Sequence, residues 1–137
     1  MNCVLQKNLN DDEIVPLVRL AEARDITVRF IEFMPFSGNE WAAGKRFVSL
    51  RDILRVVTEE FGDSLSYLPG QKSDVAKNYH IAGFAGNFGI IGSMSQPFCS
   101  GCNRIRLTAD GKVKNCLFSN MDDDFDLKKM IREQNPE

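Results

Sequence analysis

The fold of this chain is decided by the stretch Val28-Arg29-Phe30-Ile31-Glu32-Phe33, whose β-branched and aromatic residues predict a strand. Upstream of it, the apolar run Met1–Gln6 predicts another strand. Between the two, apolar residues recur at helical spacing, at Ile14, Leu17, Val18 and Ala21. A strand, a helix and a strand within the first 33 residues form the βαβ pattern of a parallel sheet.

The start of this first helix is indicated by Asn10, a good capping residue, followed by the acidic run Asp11–Glu13. Pro16 has no backbone N–H, so we expect the helix to begin near Glu13 or to be kinked.

A second helix is predicted over Ser49–Phe61, because Ser49 and Asp52 resemble a capping box ahead of an apolar stripe. Beyond Gly62 the chain carries short β-like runs around Tyr67, Tyr79–Ile81 and Phe88–Ile91. We expect the four glycines near the last two runs to form turns and hairpin ends, at Gly83, Gly86, Gly89 and Gly92.

A hairpin is predicted further on, where Ile105–Leu107 and Val113–Cys116 flank Asp110-Gly111, a strong two-residue turn signal. The acidic run Asp122–Asp126 then leads into a last predicted helix, Leu127–Arg132.

Composition limits the classes of function. The chain has 137 residues, the size of one ordinary domain, and a formal net charge of −2. That charge argues against a nucleic-acid or anionic-membrane binder driven by bulk charge. No stretch has the roughly 20 apolar residues of a membrane span, and the start does not resemble a signal peptide. Four cysteines are too few for a disulfide scaffold of this length.

Three of those cysteines form a C-x2-C-x13-C array, Cys99, Cys102 and Cys116. The predicted hairpin would return Cys116 beside the first pair. Three thiolates suit a zinc site completed by His80 or Cys3, or a [4Fe–4S] cluster with one iron open to a non-protein ligand. The residues alone leave both alternatives open.

Three arginines are candidates for binding an anion. Arg104 and Arg106 follow Cys102 at alternate positions, so a strand would place both on one face beside the metal. Their planar forks suit a phosphate or a base edge, although a solvated strand face is the alternative. Arg29 is unusual within an apolar strand, and the alternative there is a residue at a sheet edge or end.

Together these motifs resemble one family. Arg29–Pro35, the cysteine array and the run Cys102-Asn-Arg-Ile-Arg-Leu-Thr-Ala-Asp-Gly111 look like the molybdenum cofactor biosynthesis protein A family of radical SAM enzymes, the GTP 3′,8-cyclases. The resemblance favours iron–sulfur over zinc. It implies an α/β fold: the C-terminal part of an incomplete radical-SAM (β/α)6 TIM-like barrel over residues 1–47, then a C-terminal iron–sulfur-binding α+β region over 48–137.

The resemblance also implies a function. The family converts GTP to (8S)-3′,8-cyclo-7,8-dihydroguanosine 5′-triphosphate, in the first step of molybdenum cofactor biosynthesis. One [4Fe–4S] cluster cleaves S-adenosylmethionine, and a second binds GTP. By resemblance, Cys99, Cys102 and Cys116 hold the second cluster. The same likeness assigns roles toward GTP and S-adenosylmethionine: Arg104, Ile105, Arg106 and Arg29 contact GTP, and Met34 borders the S-adenosylmethionine site.

The chain departs from the family in lacking the C-x3-C-x2-C motif of the first cluster. We therefore expect a C-terminal portion that has no catalytic residue of its own and is inactive without the N-terminal barrel half. Expected partners are that half, GTP, a second copy in a homodimer, and the downstream cyclic pyranopterin monophosphate synthase, but not nucleic acid or membrane. The expected location is intracellular, in the cytoplasm of a bacterium or the mitochondrial matrix of a eukaryote. The competing hypothesis is a zinc-ribbon-like interaction module.

Overall fold

The computed structural model describes residues 1–35, 45–117 and 125–134 of the chain. The fold is mixed α/β. The strands in these ranges are β1 (Asn2–Leu5), β2 (Thr27–Glu32), β3 (Leu65–Leu68), β4 (Lys77–Ile81), β5 (Asn87–Ile91), β6 (Arg106–Leu107), β7 (Lys112–Lys114) and β8 (Phe125–Asp126). The α-helices there are α1 (Ile14–Arg19), α2 (Leu50–Phe61) and α3 (Leu127–Gln134).

The chain divides into two compact units, Met1–Gly101 and Cys102–Glu137. The sequence predicts a different boundary, after residue 47, between barrel strands and a cluster-binding region. That functional boundary stays a prediction. The compact units divide elsewhere because β3, β4 and β5 extend the sheet that β1 and β2 begin.

The sheet of the first unit has five strands in the order β1-β2-β5-β4-β3. β1, β2 and β5 are parallel, and β4 and β3 join antiparallel at one side. The predicted βαβ unit is therefore confirmed as β1-α1-β2. The sheet is mixed, since β5 returns beside β2 after α2 and the β3–β4 hairpin.

One face of this sheet is buried. Alternate residues of β2 and β5 lie on it, at Val28, Phe30, Phe88 and Ile90. They belong to one core cluster with apolar residues of the two helices, at Ile14, Val18, Ile53 and Val57. α1 and α2 thus cover this face, as their apolar stripes predict.

The predicted capping box of α2 is confirmed. The Ser49 side chain accepts a hydrogen bond from the Asp52 backbone N–H, and the Asp52 carboxylate accepts one from the Ser49 backbone N–H. Helix α2 begins at Leu50 and ends at Phe61, within the predicted bounds.

The prediction that Asn10 caps the first helix is wrong. A 3-10 turn at Asp11–Glu13 precedes α1, so the helix begins next to Glu13, as Pro16 indicates. The side chain of Asn10 makes no capping bond: it accepts from the backbone N–H of Gln6 and donates to the carbonyl of Val4. Asn10 therefore stabilises the end of β1 instead.

The glycine prediction holds in part. Gly83 and Gly86 lie in the turn between β4 and β5, and Gly92 follows β5 directly. Gly89 lies within strand β5, so the prediction of a turn or hairpin end at this position is wrong. A Cβ at this position would meet the Asn78 side-chain oxygen at 2.6 Å, so the close approach of that side chain explains the glycine.

The second unit contains a sheet in the order β6-β7-β8, with α3 next in the chain. The predicted hairpin between β6 and β7 is confirmed, but its loop has three residues instead of two. Thr108 and Lys112 pair across residues 109–111, and Gly111 takes a φ of +89°. Phe125–Asp126, predicted as a lead-in to the helix, pairs with β7 as β8, whereas Asp122–Asp124 lie outside the described residues.

Candidate metal centre and nucleotide site

The three cysteines of the array are exposed thiols. Cys99 opens a 3-10 turn, Cys99–Gly101, at the end of the first unit, whereas Cys102 and Cys116 belong to the second. The turn is closed by a hydrogen bond of 3.1 Å from the Gly101 N–H to the Phe98 carbonyl.

The residues described by the structure contain no group of three or more His, Cys, Asp or Glu side chains placed to hold a metal ion. The donor chemistry itself fits a thiolate-ligated centre, since three exposed, reduced cysteines are what such a centre requires. That the three thiols meet at one centre remains a prediction.

Cys102 has a distinctive electrostatic environment. The backbone N–H of Arg104 and then its guanidinium donate hydrogen bonds to the thiol, and these lower the pKa of Cys102 below its usual value. The positive charges of Arg104 and Arg106 lower this pKa further. Two of the predicted anion-binding cations therefore lie beside a predicted metal ligand and favour its thiolate.

The segment between these arginines is open to solvent. Arg104 and Arg106 are exposed, and Ile105 is 74% exposed. Strand β6 begins only at Arg106, which pairs with Lys114. The predicted strand therefore starts one residue later than expected and does not include Arg104.

The hairpin loop that leads back toward Cys116 is stabilised by its own side chains. Thr108 Oγ1 donates to the Asp110 carboxylate at 2.5 Å and accepts from the Lys112 N–H at 2.9 Å. The bond from Thr108 is the main reason that the pKa of Asp110 lies below its usual range.

Arg29 is not an edge residue. Its strand β2 lies between β1 and β5, and Arg29 occupies the face opposite the helices. In the same register row stand Asn2 on β1 and Gly89 on β5, which has no side chain. The alternative of a sheet edge is therefore wrong, and Arg29 is exposed on the sheet face opposite the helices.

Met34, predicted to border the S-adenosylmethionine site, follows β2 by two residues and is half-buried. Strand β2 thus carries the exposed Arg29 and leads directly to Met34.

The two zinc-ligand candidates outside the array belong to the five-stranded sheet. His80 Nδ1 lies 3.0 Å from Oδ1 of Asn87. Cys3 packs against the core, and burial is the main cause that raises its pKa. A raised thiol pKa disfavours the thiolate that a metal needs.

Sequence reasoning missed Glu32. It is the only charged residue buried among the described residues, and its carboxylate is fully enclosed. The signal was available, because Glu32 shares the face of β2 with Val28 and Phe30. A carboxylate on the apolar face of a strand needs hydrogen-bond donors there.

Comparison with known proteins identifies a family and several relatives. Residues 26–137 match the family described as Molybdenum Cofactor Synthesis C. The chain is 43% identical to Molybdenum cofactor biosynthesis protein 1 of Drosophila melanogaster over 134 residues, which are 98% of this chain and 23% of that protein. It is 45% identical to the mitochondrial GTP 3′,8-cyclase of Arabidopsis thaliana over 118 residues, 86% of this chain and 30% of that protein.

A bacterial relative, the GTP 3′,8-cyclase of Staphylococcus carnosus, is 41% identical over 132 residues, 96% of this chain and 38% of that protein. The chain belongs to the Molybdenum Cofactor Synthesis C family. It spans between 23% and 38% of the length of these three relatives. None of the described helices has the length and apolar character needed to cross a membrane.

Proposed function

We propose that this chain is the GTP-binding and cluster-binding portion of a GTP 3′,8-cyclase, acting in the first step of molybdenum cofactor biosynthesis. The observation that carries the proposal is the environment of Cys102, where a cysteine and two arginines lie together. A thiolate next to paired guanidiniums suits a centre that binds a metal and an anionic substrate side by side.

Cys99, Cys102 and Cys116 would hold a [4Fe–4S] cluster. With three protein ligands, such a cluster supplies one iron that is open to the guanine of GTP. The protein's own part is to favour the thiolate of Cys102, because the N–H and guanidinium donors of Arg104 lower the pKa of Cys102.

GTP would be bound by the side chains of Arg104 and Arg106 and by the backbone of Ile105 between them. Arg29 would be directed to the phosphates of GTP. The arginines are exposed and carry forks that match phosphate oxygens. The exposure of Arg29 on the sheet face opposite the helices supports this role.

Met34 would border S-adenosylmethionine, whose radical chemistry needs the first cluster and hence an N-terminal barrel half. The 137 residues contain no C-x3-C-x2-C motif. We therefore propose that the chain alone releases no 5′-deoxyadenosine from S-adenosylmethionine, that a homodimer is its assembled form, and that cyclic pyranopterin monophosphate synthase uses the product. The bacterial cytoplasm or the mitochondrial matrix would be the location.

Anaerobic reconstitution with iron and sulfide tests the proposal. The wild-type chain should become brown and hold about four irons, the composition of a [4Fe–4S] cluster. Cys99→Ser, Cys102→Ser and Cys116→Ser should each lose the cluster, because three ligands leave none to spare. Cys3→Ser is the matched control and should retain it.

Two results would contradict the proposal. One is full iron content in Cys116→Ser. The other is a colourless protein with stoichiometric zinc that Cys3→Ser or His80→Ala abolishes, which would favour the zinc-ribbon-like module. Incubation with GTP, S-adenosylmethionine and a reductant should give no 5′-deoxyadenosine above background, and turnover by this chain would refute its dependence on the barrel half.

A further inference from the structure

Glu32 ends strand β2 with its carboxylate fully buried. Burying a carboxylate is costly unless hydrogen bonds replace its hydration. Both oxygens of Glu32 have such partners. Oε1 accepts from the Leu50 N–H at 2.7 Å, and Oε2 accepts from the N–H groups of Met94 and Ser95 at 2.7 and 2.9 Å.

A fourth donor is the hydroxyl of Ser95, which donates to Oε1. The donors come from two elements that are distant in sequence, the first turn of α2 and the segment after β5. Glu32 thus connects three parts of the first unit at one point, and an acceptor-only side chain is required there.

The segment held in this way, Gly92–Gly101, contains Cys99, the first cysteine of the array. Its start is a turn closed by a hydrogen bond of 3.0 Å from the Gln96 N–H to the Gly92 carbonyl. Gly92 also packs tightly on α2, since a Cβ there would lie 3.1 Å from Leu50 Cδ1. The side chain of Gln96 also accepts a hydrogen bond from the ammonium group of Lys77 on β4.

We propose that Glu32 is a positioning residue: it anchors the Gly92–Gly101 segment to the end of β2, so that Cys99 is held in place for the cluster. Cys99 stands four residues beyond Ser95. The same strand presents Arg29 on its opposite face. β2 would therefore position the cysteine segment and a phosphate-binding side chain together. The role toward the cluster rests on the proposed function.

The test is hydrogen exchange and iron content measured on the same variants of the full chain. In Glu32→Gln the amide nitrogen must face at least one N–H donor, so the four bonds cannot all be retained. Exchange of the Met94 and Ser95 amides should accelerate about ten- to a hundredfold, the range expected for bonds to a charged acceptor. Iron retained after reconstitution and desalting should fall by at least about half.

Two further variants separate positioning from stability. Val57→Ala removes methyl groups from the fully buried core of α2 and none of the hydrogen-bond donors to Glu32, so it lowers stability without removing these bonds. It should leave the Met94 and Ser95 exchange and the iron content unchanged under native conditions. Ser95→Ala removes only the hydroxyl donor and should accelerate exchange in the segment less than Glu32→Gln, which keeps the test available if the latter does not fold.

The outcomes are distinguishable. Equal iron content in Glu32→Gln and Val57→Ala, or unchanged segment exchange in both Glu32→Gln and Ser95→Ala, would overturn the positioning role. A wild-type chain that binds no iron would refute the proposed function, and with it the role of Glu32 toward the cluster, whatever the exchange rates are.

Discussion

The guanidinium of Arg104 donates a hydrogen bond to the sulfur of Cys102 across 3.3 Å. One residue, Asn103, separates a predicted metal ligand from a predicted substrate contact, and the structure shows that the two side chains touch. The reactivity of the Cys102 thiol should therefore depend on the presence of the Arg104 guanidinium.

Alkylation of Cys102 in the metal-free chain should occur at a lower pH than for an ordinary thiol, because hydrogen bonds and positive charge from Arg104 lower the pKa of Cys102. Arg104→Ala removes the guanidinium but leaves the backbone donor. The midpoint of the pH–rate profile should then rise part of the way to the usual thiol value. Arg106→Ala, which contributes only its charge, should raise it less. Mass spectrometry of the Cys102 peptide measures the rates, and identical profiles in all three proteins would contradict the assignment.

GTP binding by the reconstituted chain should weaken about 10- to 150-fold in Arg104→Ala and in Arg106→Ala, since a charge-assisted hydrogen bond contributes about 1.5–3 kcal/mol. Lysine at either position should restore binding incompletely, because a point charge lacks the planar fork. Arg55→Ala removes an exposed ion pair with Glu59 on α2 and is the control, expected to bind GTP normally. Equilibrium dialysis and thermal melting should be run together: normal affinity with a lowered melting temperature would make the arginines structural.

Ser49→Ala should lower the free energy of unfolding by about 1 kcal/mol, within the range of about 0.5–2 for loss of an N-cap. The variant removes the acceptor of the Asp52 N–H and a hydroxyl that donates to Asp52 at 2.6 Å. Thr58→Ala, an exposed change in the same helix, should not be destabilising. Urea unfolding measures both, and equal stability of wild type and Ser49→Ala would be inconsistent with a working capping box.

Ser49→Ala should lower the free energy of unfolding by less in acid than at neutral pH. Hydrogen bonding from the Ser49 side chain is the main cause that lowers the pKa of Asp52 in the folded state. A lowered carboxyl pKa adds stability above the unfolded-state pKa of about 3.9, and that stability is lost as the pH falls through the folded-state value. The difference between wild type and Ser49→Ala should therefore narrow below about pH 4. A difference that stays constant would show that Asp52 is not coupled to the cap.

Gly86→Ala should destabilise the first unit by about 3 kcal/mol, the upper end for an overpacked site. An added Cβ would collide with the backbone carbonyl oxygens of Ile26 and Arg24, which cannot rotate away as a side chain could. Gly83→Ala, in the same turn, meets no atom within 4 Å but has a φ of +90°. It should cost only about 1–2 kcal/mol from backbone strain. Equal losses in the two variants would mean that the turn shifts to admit the methyl group.

The sequence by itself determined the local features of the protein. The capping box at Ser49, the strand at Val28–Phe33 and the hairpin at Gly111 follow from interactions within a few residues, so their patterns are visible without a partner. It also indicated the chemistry of the candidate site, because cysteine spacing and arginine alternation are properties of the chain. The family follows from the same motifs.

Only the tertiary structure decided which distant segments meet. It placed β5 beside β2, made Arg29 an interior-strand residue, and gave Gly89 a neighbour in Asn78. Glu32 is the clearest case, since its donors lie 18, 62 and 63 residues away. A strand pattern records that a side chain is polar, but not which backbone N–H groups the folded chain brings to it, because those partners are selected by the packing of the whole sheet against α1 and α2.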